Sequence, residues 1–415
     1  MNFIKKVNIS LLTLAVLIGF CVFLRWYQIE ERNQFTWDQV DNAWAAKTIL
    51  IDHELPIEGM QAKLNSGLFI GPLYYYYIVP FYAAFNLDPV ASGYIAISSS
   101  VISLIILYYV TKSIFSYKEA LIAGLLYVFL TPYIEFDRVQ WPVNFVPAIS
   151  LVIFYSIYRI LNGSVRYFFL LMLALGISFH LHMTSIFYIF ILVLCIPLLP
   201  RKRETVKYFF YSLPIFIIFI SPIIYMLFGV NHFSRGTSYA SSSYHGFYVR
   251  RMLQLSSDAF LEFATLTHAL KISVIRFLLP LIFIAVYLKE KINKKRLIIC
   301  YLVLLWVFIP WILLSTYSGE LTVYYFIIPR FIAVMLASYI IVKFVFAKNT
   351  LLSLVSSAVL GAYLAHNVVL FFQAEYDGIS YYRQRTLDRM EKGEQINFQQ
   401  GAPESYIYFY YTHDK

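Results

Sequence analysis

Long apolar runs separated by short polar segments fill most of the chain between residues 7 and 372. Many of these runs approach the roughly 20 residues that a helix needs to cross a bilayer. A backbone that crosses lipid must pair its polar groups internally, so the runs are predicted to be helices. The pattern predicts an all-α polytopic membrane protein with about eleven transmembrane helices, at residues 7–24, 92–110, 120–133, 143–160, 168–182, 183–199, 208–228, 272–288, 297–314, 324–346 and 351–372.

A further apolar run at residues 68–85 could be a span by its hydropathy, or a helix at the membrane surface. It contains Pro72 and Pro80 and a run of tyrosines, which suit a helix lying along the membrane surface. If this run crossed the membrane, the basic clusters at 201–203 and 289–296 would both lie outside. The positive-inside rule therefore favours a surface helix, with the N-terminus cytoplasmic and the C-terminus extracytoplasmic.

This topology divides the chain into a transmembrane domain, residues 1–372, and a short extracytoplasmic tail, residues 373–415. The extracytoplasmic side carries a first loop at 25–91, a short loop at 134–142, and a long Ser-, Tyr- and Gly-rich loop at 230–271 that we expect to be mobile. Residues 405–411 of the tail, SYIYFYY, have the composition of a strand.

Composition supports the membrane assignment and removes one class of partner. The chain is 60% hydrophobic and 13% charged, whereas soluble domains carry about 25% charged residues. Its net charge of +10 would suggest nucleic acid for a soluble protein. Here the basic residues cluster in the short loops predicted to be cytoplasmic, so we expect no nucleic-acid partner.

The first loop contains a polar, acidic segment at residues 35–56 between apolar runs. Thr36 and Gln39 have the spacing of a capping box, which predicts a helix from Trp37 that ends before Pro56. Asp38 and Asp41 lie three residues apart and therefore share a face of this helix. Paired carboxylates there suit a base or a cation site, although acids in a first helical turn also simply complement the helix dipole.

Charged residues also lie in the short loop at 134–142, where Glu135, Asp137 and Arg138 follow a predicted span. They are candidates for a second acidic site or, equally, solvated anchors at the membrane boundary. In the long loop, Arg250 and Arg251 suit a phosphate group but fit an interface anchor as well.

His180 and His182 end a predicted span, but residues two apart on a helix point to different faces. We therefore expect hydrogen bonding by one of them rather than a shared metal ion. Glu320, before Tyr324 and Tyr325, is a third candidate acid at the mouth of a span. The residues leave a divalent cation open as a cofactor.

In their order and spacing these motifs resemble GT-C membrane glycosyltransferases, in particular the dolichyl-phosphate-mannose protein mannosyltransferase and aminoarabinose transferase superfamily in its prokaryotic branch. The resemblance rests on segments that begin at Trp37, Gly67, Leu87, Asp137, His180 and Gly319, reading WDQVDNA, GLFIGPLYYY, LDPVA, DRVQWPVN, HLHMTS and GE.

The resemblance implies a sugar donor on a polyprenyl phosphate and an acceptor (protein, lipid or glycan) at the outer face. It implies that Asp38 is the base or positions the acceptor, with Asp41 and Asp137 as further acids. Candidate donor-binding and substrate-binding residues are Arg138, Arg250, Arg251, Tyr74, Trp37, Gln39, His182, Glu320 and Tyr324. Some relatives have a Lys-Pro pair just before the surface helix. This chain has Ile70-Gly71-Pro72 at that place, so the resemblance does not identify the residue that binds the phosphate.

The residues also suggest a mechanism. A carboxylate at a helix N-terminus, such as Asp38, is expected to remain ionised and accept a proton from an acceptor hydroxyl. No second carboxylate is clearly placed as a nucleophile, so we expect inversion at the anomeric carbon. The alternatives are a transporter or flippase of lipid-linked glycans, which would favour internal repeats and mid-membrane charges, and an outer-face glycan polymerase or ligase.

Overall fold

The computed structural model describes residues 9–63, 66–229, 233–244, 246–261, 273–319, 321–396 and 401–413. Over these residues the chain consists of helices joined by short connections, with no strand. In chain order the α-helices are α1 Ile9–Trp26, α2 Ile29–Arg32, α3 Trp37–Leu50, α4 Leu73–Ala84, α5 Ala91–Ile114, α6 Tyr117–Phe129, α7 Thr131–Arg138, α8 Val146–Leu161, α9 Phe168–Ser178, α10 Ile186–Cys195, α11 Arg203–Gly229, α12 Phe233–Ser243, α13 Val249–Leu261, α14 Ser273–Glu290, α15 Lys294–Leu314, α16 Arg330–Val345, α17 Thr350–Gln373, α18 Ile379–Glu391 and α19 Pro403–Thr412.

Six of the described helical segments are long and apolar enough to span a membrane. They are α1, α5, Pro142–Leu161, α11, α15 and α17, and the bent pair α6–α7 would make a seventh. Many apolar side chains on α11 and α17 face outward, among them Ile218, which is 68% exposed, and Leu354, which is 67% exposed. Outward-facing apolar surface of this extent is suited to lipid rather than water. The chain is a multi-pass membrane protein.

Two buried clusters organise the molecule. The larger one joins α1, α5, α6, α8, α9, α15 and α16, and it contains the fully buried Trp306. The smaller one lies at the end of the helices that carries α3 and α4, and it contains Phe35, Tyr82 and Tyr406. The tail helices α18 and α19 belong to this second cluster, so the C-terminal segment is part of the structure around α3.

Several predicted elements need correction. The predicted span 120–133 is bent by 63° between α6 and α7, because Pro132 has no N–H to continue the helix. The predicted span 324–346 begins later, at Arg330 after Pro329, and Tyr324 lies in a preceding 3-10 turn, Val323–Phe326.

The tail segment 405–411 is helical, so its predicted strand character is wrong. Pro403 occupies the first turn of α19, where its missing N–H costs no hydrogen bond. On a helix Tyr406 and Phe409 face the same side, and both rings contact Trp44. This packing overrides the strand preference of the aromatic residues.

The described part of the long loop at 230–271 forms α12 and α13 rather than an irregular loop. Tyr239 of α12 hydrogen-bonds the Tyr317 hydroxyl at 2.6 Å. The Met252 carbonyl of α13 accepts the Trp311 indole N–H at 2.8 Å. Both helices are thus held against the end of α15.

Candidate functional site

A cavity of about 510 Å³ lies where α3, the segment before α4, the turn between α9 and α10, and the ends of α15 and α12 meet. Most of its wall is apolar or aromatic. The polar and charged groups on the wall include Asp38, Gln61, Lys63, His182, Thr184, Thr316 and the tyrosines Tyr239, Tyr244, Tyr317, Tyr324 and Tyr325. This is a concave, largely apolar pocket with a few convergent polar groups, the usual form of a ligand site.

Asp38 reaches the cavity because α3 begins where the capping box predicted. The Gln39 Oε1 accepts the Thr36 backbone N–H at 3.1 Å, which fixes the first turn. The Gln39 Nε2 donates to the Gln140 carbonyl at 2.9 Å. Gln39 is buried and joins the start of α3 to the segment after α7. The helix ends at Leu50, six residues before Pro56.

Burial and the neighbouring charge of Asp41 raise the pKa of Asp38 to about 6. Removing a carboxylate from water disfavours its charged form, and a like charge nearby adds to that effect. The stabilisation expected from the helix N-terminus is therefore outweighed. Asp38 is mostly ionised at pH 7, but its proton affinity is high enough for it to accept a proton.

Asp41 is held by a different contact. The Tyr75 hydroxyl of α4 donates to Asp41 Oδ2 at 3.2 Å. The Tyr74 hydroxyl accepts from the Gln140 Nε2 at 2.9 Å, and the Tyr74 ring is buried. Tyr74 and Asp41 therefore lie beside the cavity, behind Asp38, rather than on its wall.

His182 contributes a neutral imidazole to the cavity wall. Its Nδ1 accepts the Thr184 backbone N–H at 3.3 Å, so the ring proton is on Nε2. Burial lowers the pKa of His182 to about 4. The ring packs against Tyr325 and Tyr324, with centroids 5.3 Å and 5.8 Å away. His182 is thus a neutral hydrogen-bond group at physiological pH.

His180 has a structural role instead. Its Nδ1 accepts the Leu73 backbone N–H at 3.2 Å, and its Nε2 contacts the Phe219 carbonyl at 2.8 Å. The imidazole fills the space that a side chain at Gly71 would occupy. His180 therefore joins the start of α4 to α11. No group of three metal-ligating side chains comes together among the described residues.

The second acidic site of the sequence prediction lies away from the cavity. Asp137 Oδ2 accepts from Arg25 Nη2 at 2.7 Å and from Arg25 Nε at 3.1 Å, and both side chains are buried. Arg138 donates to the carbonyls of Leu24, Arg25 and Gln28, at the end of α1. These residues join α7 to α1.

Among the remaining described candidates, Tyr324 lines the cavity, whereas Trp37, Arg250 and Arg251 do not. Trp37 is 73% exposed at the start of α3. Arg250 is exposed, and the Arg251 Nη2 donates to the Gly319 carbonyl at 3.0 Å. Tyr324 lines the cavity and packs edge-on against Trp141 at 5.1 Å. Glu320 lies outside the described residues.

Lys63 is the residue that the sequence reasoning missed. It is the one cation among the described residues that line the cavity, and its Nζ lies 5.9 Å from the centroid of the Tyr325 ring. In the sequence, Lys63 is the one charged residue between Glu58 and Asp88. That isolation inside a neutral stretch was a usable signal.

Comparison with known proteins agrees with this architecture. Residues 70–226 match the family model of dolichyl-phosphate-mannose-protein mannosyltransferases. No curated protein sequence matches the chain.

Solved structures match nearly the whole chain at low sequence identity. The Archaeoglobus fulgidus oligosaccharyltransferase in its apo form superposes with a TM-score of 0.60 and 13% identity, over 99% of this chain and 60% of that one. ArnT from Cupriavidus metallidurans, bound to undecaprenyl phosphate, gives 0.55 and 12%, over 97% and 75%. The archaeal oligosaccharyltransferase AglB from Archaeoglobus fulgidus, in complex with an inhibitory peptide and a dolichol-phosphate, gives 0.54 and 13%, over 95% and 60%.

The chain thus spans about 60% of the length of the oligosaccharyltransferase. Its helical architecture is that of these proteins. The chain has the fold of the GT-C membrane glycosyltransferases, and its residues 70–226 are similar to the dolichyl-phosphate-mannose-protein mannosyltransferase family.

Proposed function

We propose that the chain is a glycosyltransferase that moves a sugar from a polyprenyl-phosphate donor to an acceptor hydroxyl at the outer face of the membrane, with Asp38 as the base. The observation that carries the proposal is the composition of one cavity wall. It combines a carboxylate with a raised pKa, a single described cation and a broad apolar surface.

The apolar part of the wall suits the lipid of the donor. Ile186, Phe187 and Phe190 of α10 line the cavity, and Ile186 and Phe190 are 44% and 46% exposed. The cavity is therefore open at an apolar surface of the kind that faces lipid. An isoprenoid chain can lie across this rim while its polar head reaches the interior.

Lys63 suits the phosphate of the donor. A phosphate needs a positive partner as it leaves, because negative charge grows on its oxygens while the bond to the sugar breaks. Lys63 supplies that charge from the cavity wall, and the His182 ring supplies a neutral N–H. The sequence candidates Arg138 and Arg251 are bound to carbonyl groups elsewhere.

Asp38 completes the reaction. Its carboxylate takes the proton of the acceptor hydroxyl while that oxygen bonds to the anomeric carbon. The bond from the anomeric carbon to the phosphate oxygen breaks, and its electron pair stays with the phosphate. One displacement inverts the anomeric configuration. In this assignment Asp41 maintains the charge environment of Asp38, and Asp137 positions α7 through Arg25.

The structural relatives support the lipid class. ArnT was solved with undecaprenyl phosphate and AglB with a dolichol-phosphate. The partial match to a mannosyltransferase family supports the same type of transfer.

The test uses the purified full-length chain in lipid vesicles, supplied with radiolabelled polyprenyl-phosphate sugars and membrane extracts as acceptor. We expect transfer by the wild type and loss of at least about a hundredfold in Asp38→Asn, the scale for removing a general base. Asp52→Asn is the matched control, because Asp52 follows the same helix, binds Lys47 at 2.8 Å and does not line the cavity.

The other outcomes are equally informative. Equal transfer in wild type and Asp38→Asn would move the base to another residue. Movement of labelled lipid across the vesicle without transfer would assign the chain to a transporter or flippase. Transfer only from a pyrophosphate-linked oligosaccharide would assign it to the glycan polymerases or ligases.

A further inference from the structure

The tail helices α18 and α19 pack directly on the segment that carries Asp38. The Ile379 backbone N–H donates to the Asn33 carbonyl at 3.0 Å, and the buried Tyr406 hydroxyl donates to the Leu87 carbonyl at 2.9 Å. The Tyr406 ring lies edge-on to Trp44 of α3 at 5.1 Å and contacts Phe35 at 5.7 Å. The tail therefore contributes side chains to the buried cluster that contains α3.

Ion pairs add to this docking. Arg383 of α18 binds Asp88 at 2.8 Å and lies 3.6 Å from Glu30 of α2. Arg385 joins Glu404 at 3.4 Å, which links α18 to α19. The tail thus holds the segments on both sides of α3 in the sequence.

The contact of the tail that lies nearest to Asp38 in the sequence is between Gly401 and Trp37. The Gly401 carbonyl accepts the Trp37 backbone N–H at 3.1 Å. Gly401 has φ +79°, and a Cβ on it would lie 2.5 Å from Cε3 of the Trp37 indole. Only glycine adopts this conformation and allows this approach without strain.

The backbone of Trp37 is strained, and the hydrogen bond to Gly401 stabilises it. Its own φ is 29°, an unfavourable conformation for a bulky residue, and its side chain is 73% exposed. Burial of the indole therefore cannot compensate for the backbone strain, whereas the hydrogen bond from the tail can. Asp38 is the next residue, so its direction depends on the geometry of Trp37.

We propose that α18, α19 and Gly401 of the tail form a positioning element that sets the direction of Asp38 through the contact of Gly401 with Trp37. The expected effect on transfer rests on the proposed function. The contact between the tail and the first turn of α3 does not depend on it. Gly401 does not line the cavity, so a change at Gly401 is expected to act on Asp38 only through the first turn of α3.

Positioning also has a signature in the pH dependence. Burial is the main cause of the raised pKa of Asp38, so a first turn that opens to water brings this pKa down toward its ordinary value near 3.8. The other titratable or charged groups that interact with Asp38 or line the same cavity are Asp41, Lys63, Tyr74, Tyr75, His182, Tyr239, Tyr244, Tyr317, Tyr324 and Tyr325.

Two glycines of the tail provide a matched pair of variants. Gly401 and Gly393 both have a left-handed backbone, with φ +79° and +69°. A Cβ at Gly401 meets Trp37, whereas a Cβ at Gly393 meets nothing within 4 Å. Gly401→Ala and Gly393→Ala therefore carry a similar backbone strain, and only the first disturbs the contact with α3.

The experiment compares both variants in the full-length protein by hydrogen exchange over residues 36–44 and by the pH profile of transfer. In Gly401→Ala we expect faster hydrogen exchange of this segment and a kcat reduced by up to about tenfold, with an unchanged donor KM. We also expect the acid limb of the pH profile to move to lower pH. Gly393→Ala is expected to match the wild type in all four.

Equal exchange and equal pH profiles in the two variants would overturn the proposal. If the wild type shows no transfer, the proposed function fails while hydrogen exchange still decides the coupling. If Gly401→Ala does not insert, Tyr406→Phe replaces it, since this change removes only the hydroxyl bonded to Leu87. Its control is Tyr381→Phe on the 46% exposed ring of α18, and unchanged exchange in Tyr406→Phe would then overturn the coupling.

Discussion

Arg25 and Asp137 form a buried ion pair through two hydrogen bonds, and the same guanidinium donates to the Tyr127 carbonyl at 3.3 Å. Arg25 is 1% exposed and Asp137 5% exposed. The pair joins the end of α1 to α7, the half of the bent helix pair that follows Leu130.

Removing one partner of this pair is expected to be costly. Asp137→Asn leaves the Arg25 charge buried without a counter-charge, which costs about 3 kcal/mol or more in comparable pairs. The measurement is the thermal unfolding of the purified protein in detergent. Replacing both residues, Arg25→Met with Asp137→Leu, is expected to recover much of the loss, because no isolated charge remains. A double variant as unstable as Asp137→Asn would contradict this account.

Asp38→Asn is expected to increase stability above pH 6. The folded protein holds the Asp38 proton up to about pH 6, whereas the unfolded chain releases it near pH 3.8. Between these values the folded state binds more protons, so stability falls as pH rises from about 4 to about 6. Asparagine carries no charge and avoids this loss. Unfolding temperatures at pH 4 and pH 7.5 test the prediction, and a variant less stable than wild type at pH 7.5 would refute it.

The pH dependence of kcat/KM is expected to show an acid limb near pH 6, because Asp38 must be ionised to accept the proton. His182 is not the source of this limb, since its pKa is lowered to about 4. His182→Gln is therefore expected to reduce the rate and leave the limb in place. Loss of the limb in His182→Gln would assign it to the histidine.

Lys63→Gln is expected to raise the donor KM at least about tenfold, because the variant lacks the positive charge that faces the phosphate. Lys63→Arg retains that charge and is expected to recover part of the affinity. Binding of the unglycosylated polyprenyl phosphate, measured by competition, separates donor binding from chemistry. Lys392→Gln in the exposed part of the tail is the control. Equal KM values in Lys63→Gln and the control would remove Lys63 from the phosphate site.

Gly71→Ala is expected to destabilise the protein by about 2 kcal/mol and lower activity, because the added Cβ collides with the His180 ring. Gly361→Ala on α17 is its control, since a Cβ there meets nothing within 4 Å. Thermal unfolding distinguishes the two variants, and equal unfolding temperatures would show that His180 can move aside without cost.

Local signals in the sequence were enough to place the start of α3 and most apolar helices. Thr36 and Gln39 define a cap through neighbouring residues alone, so the prediction did not depend on the rest of the fold. Hydropathy likewise locates a span without reference to its neighbours.

Long-range packing decided the features that the sequence did not reveal. The helical form of residues 405–411 depends on Trp44 and Phe35, more than 300 positions earlier in the chain. The direction of Asp137 depends on Arg25, which lies 112 positions away. Lys63 had only its isolation in a neutral stretch as a signal, and its place on the cavity wall depends on residues of α10, α15 and the turn before α16 that line the same cavity.

The bend between α6 and α7 has a consequence for the order of assembly. At the bend, the Thr131 hydroxyl donates to the Asn367 carbonyl at 2.6 Å and the Thr131 N–H donates to the Asn367 Oδ1 at 3.3 Å. Asn367 belongs to α17 and is synthesised 236 residues after Thr131. The α6–α7 pair is therefore synthesised before its partner on α17 exists. The two hydrogen bonds that hold the bend can therefore form only after α17 has been synthesised, whereas Arg25 and Asp137 both precede α17 in the chain and can pair before it.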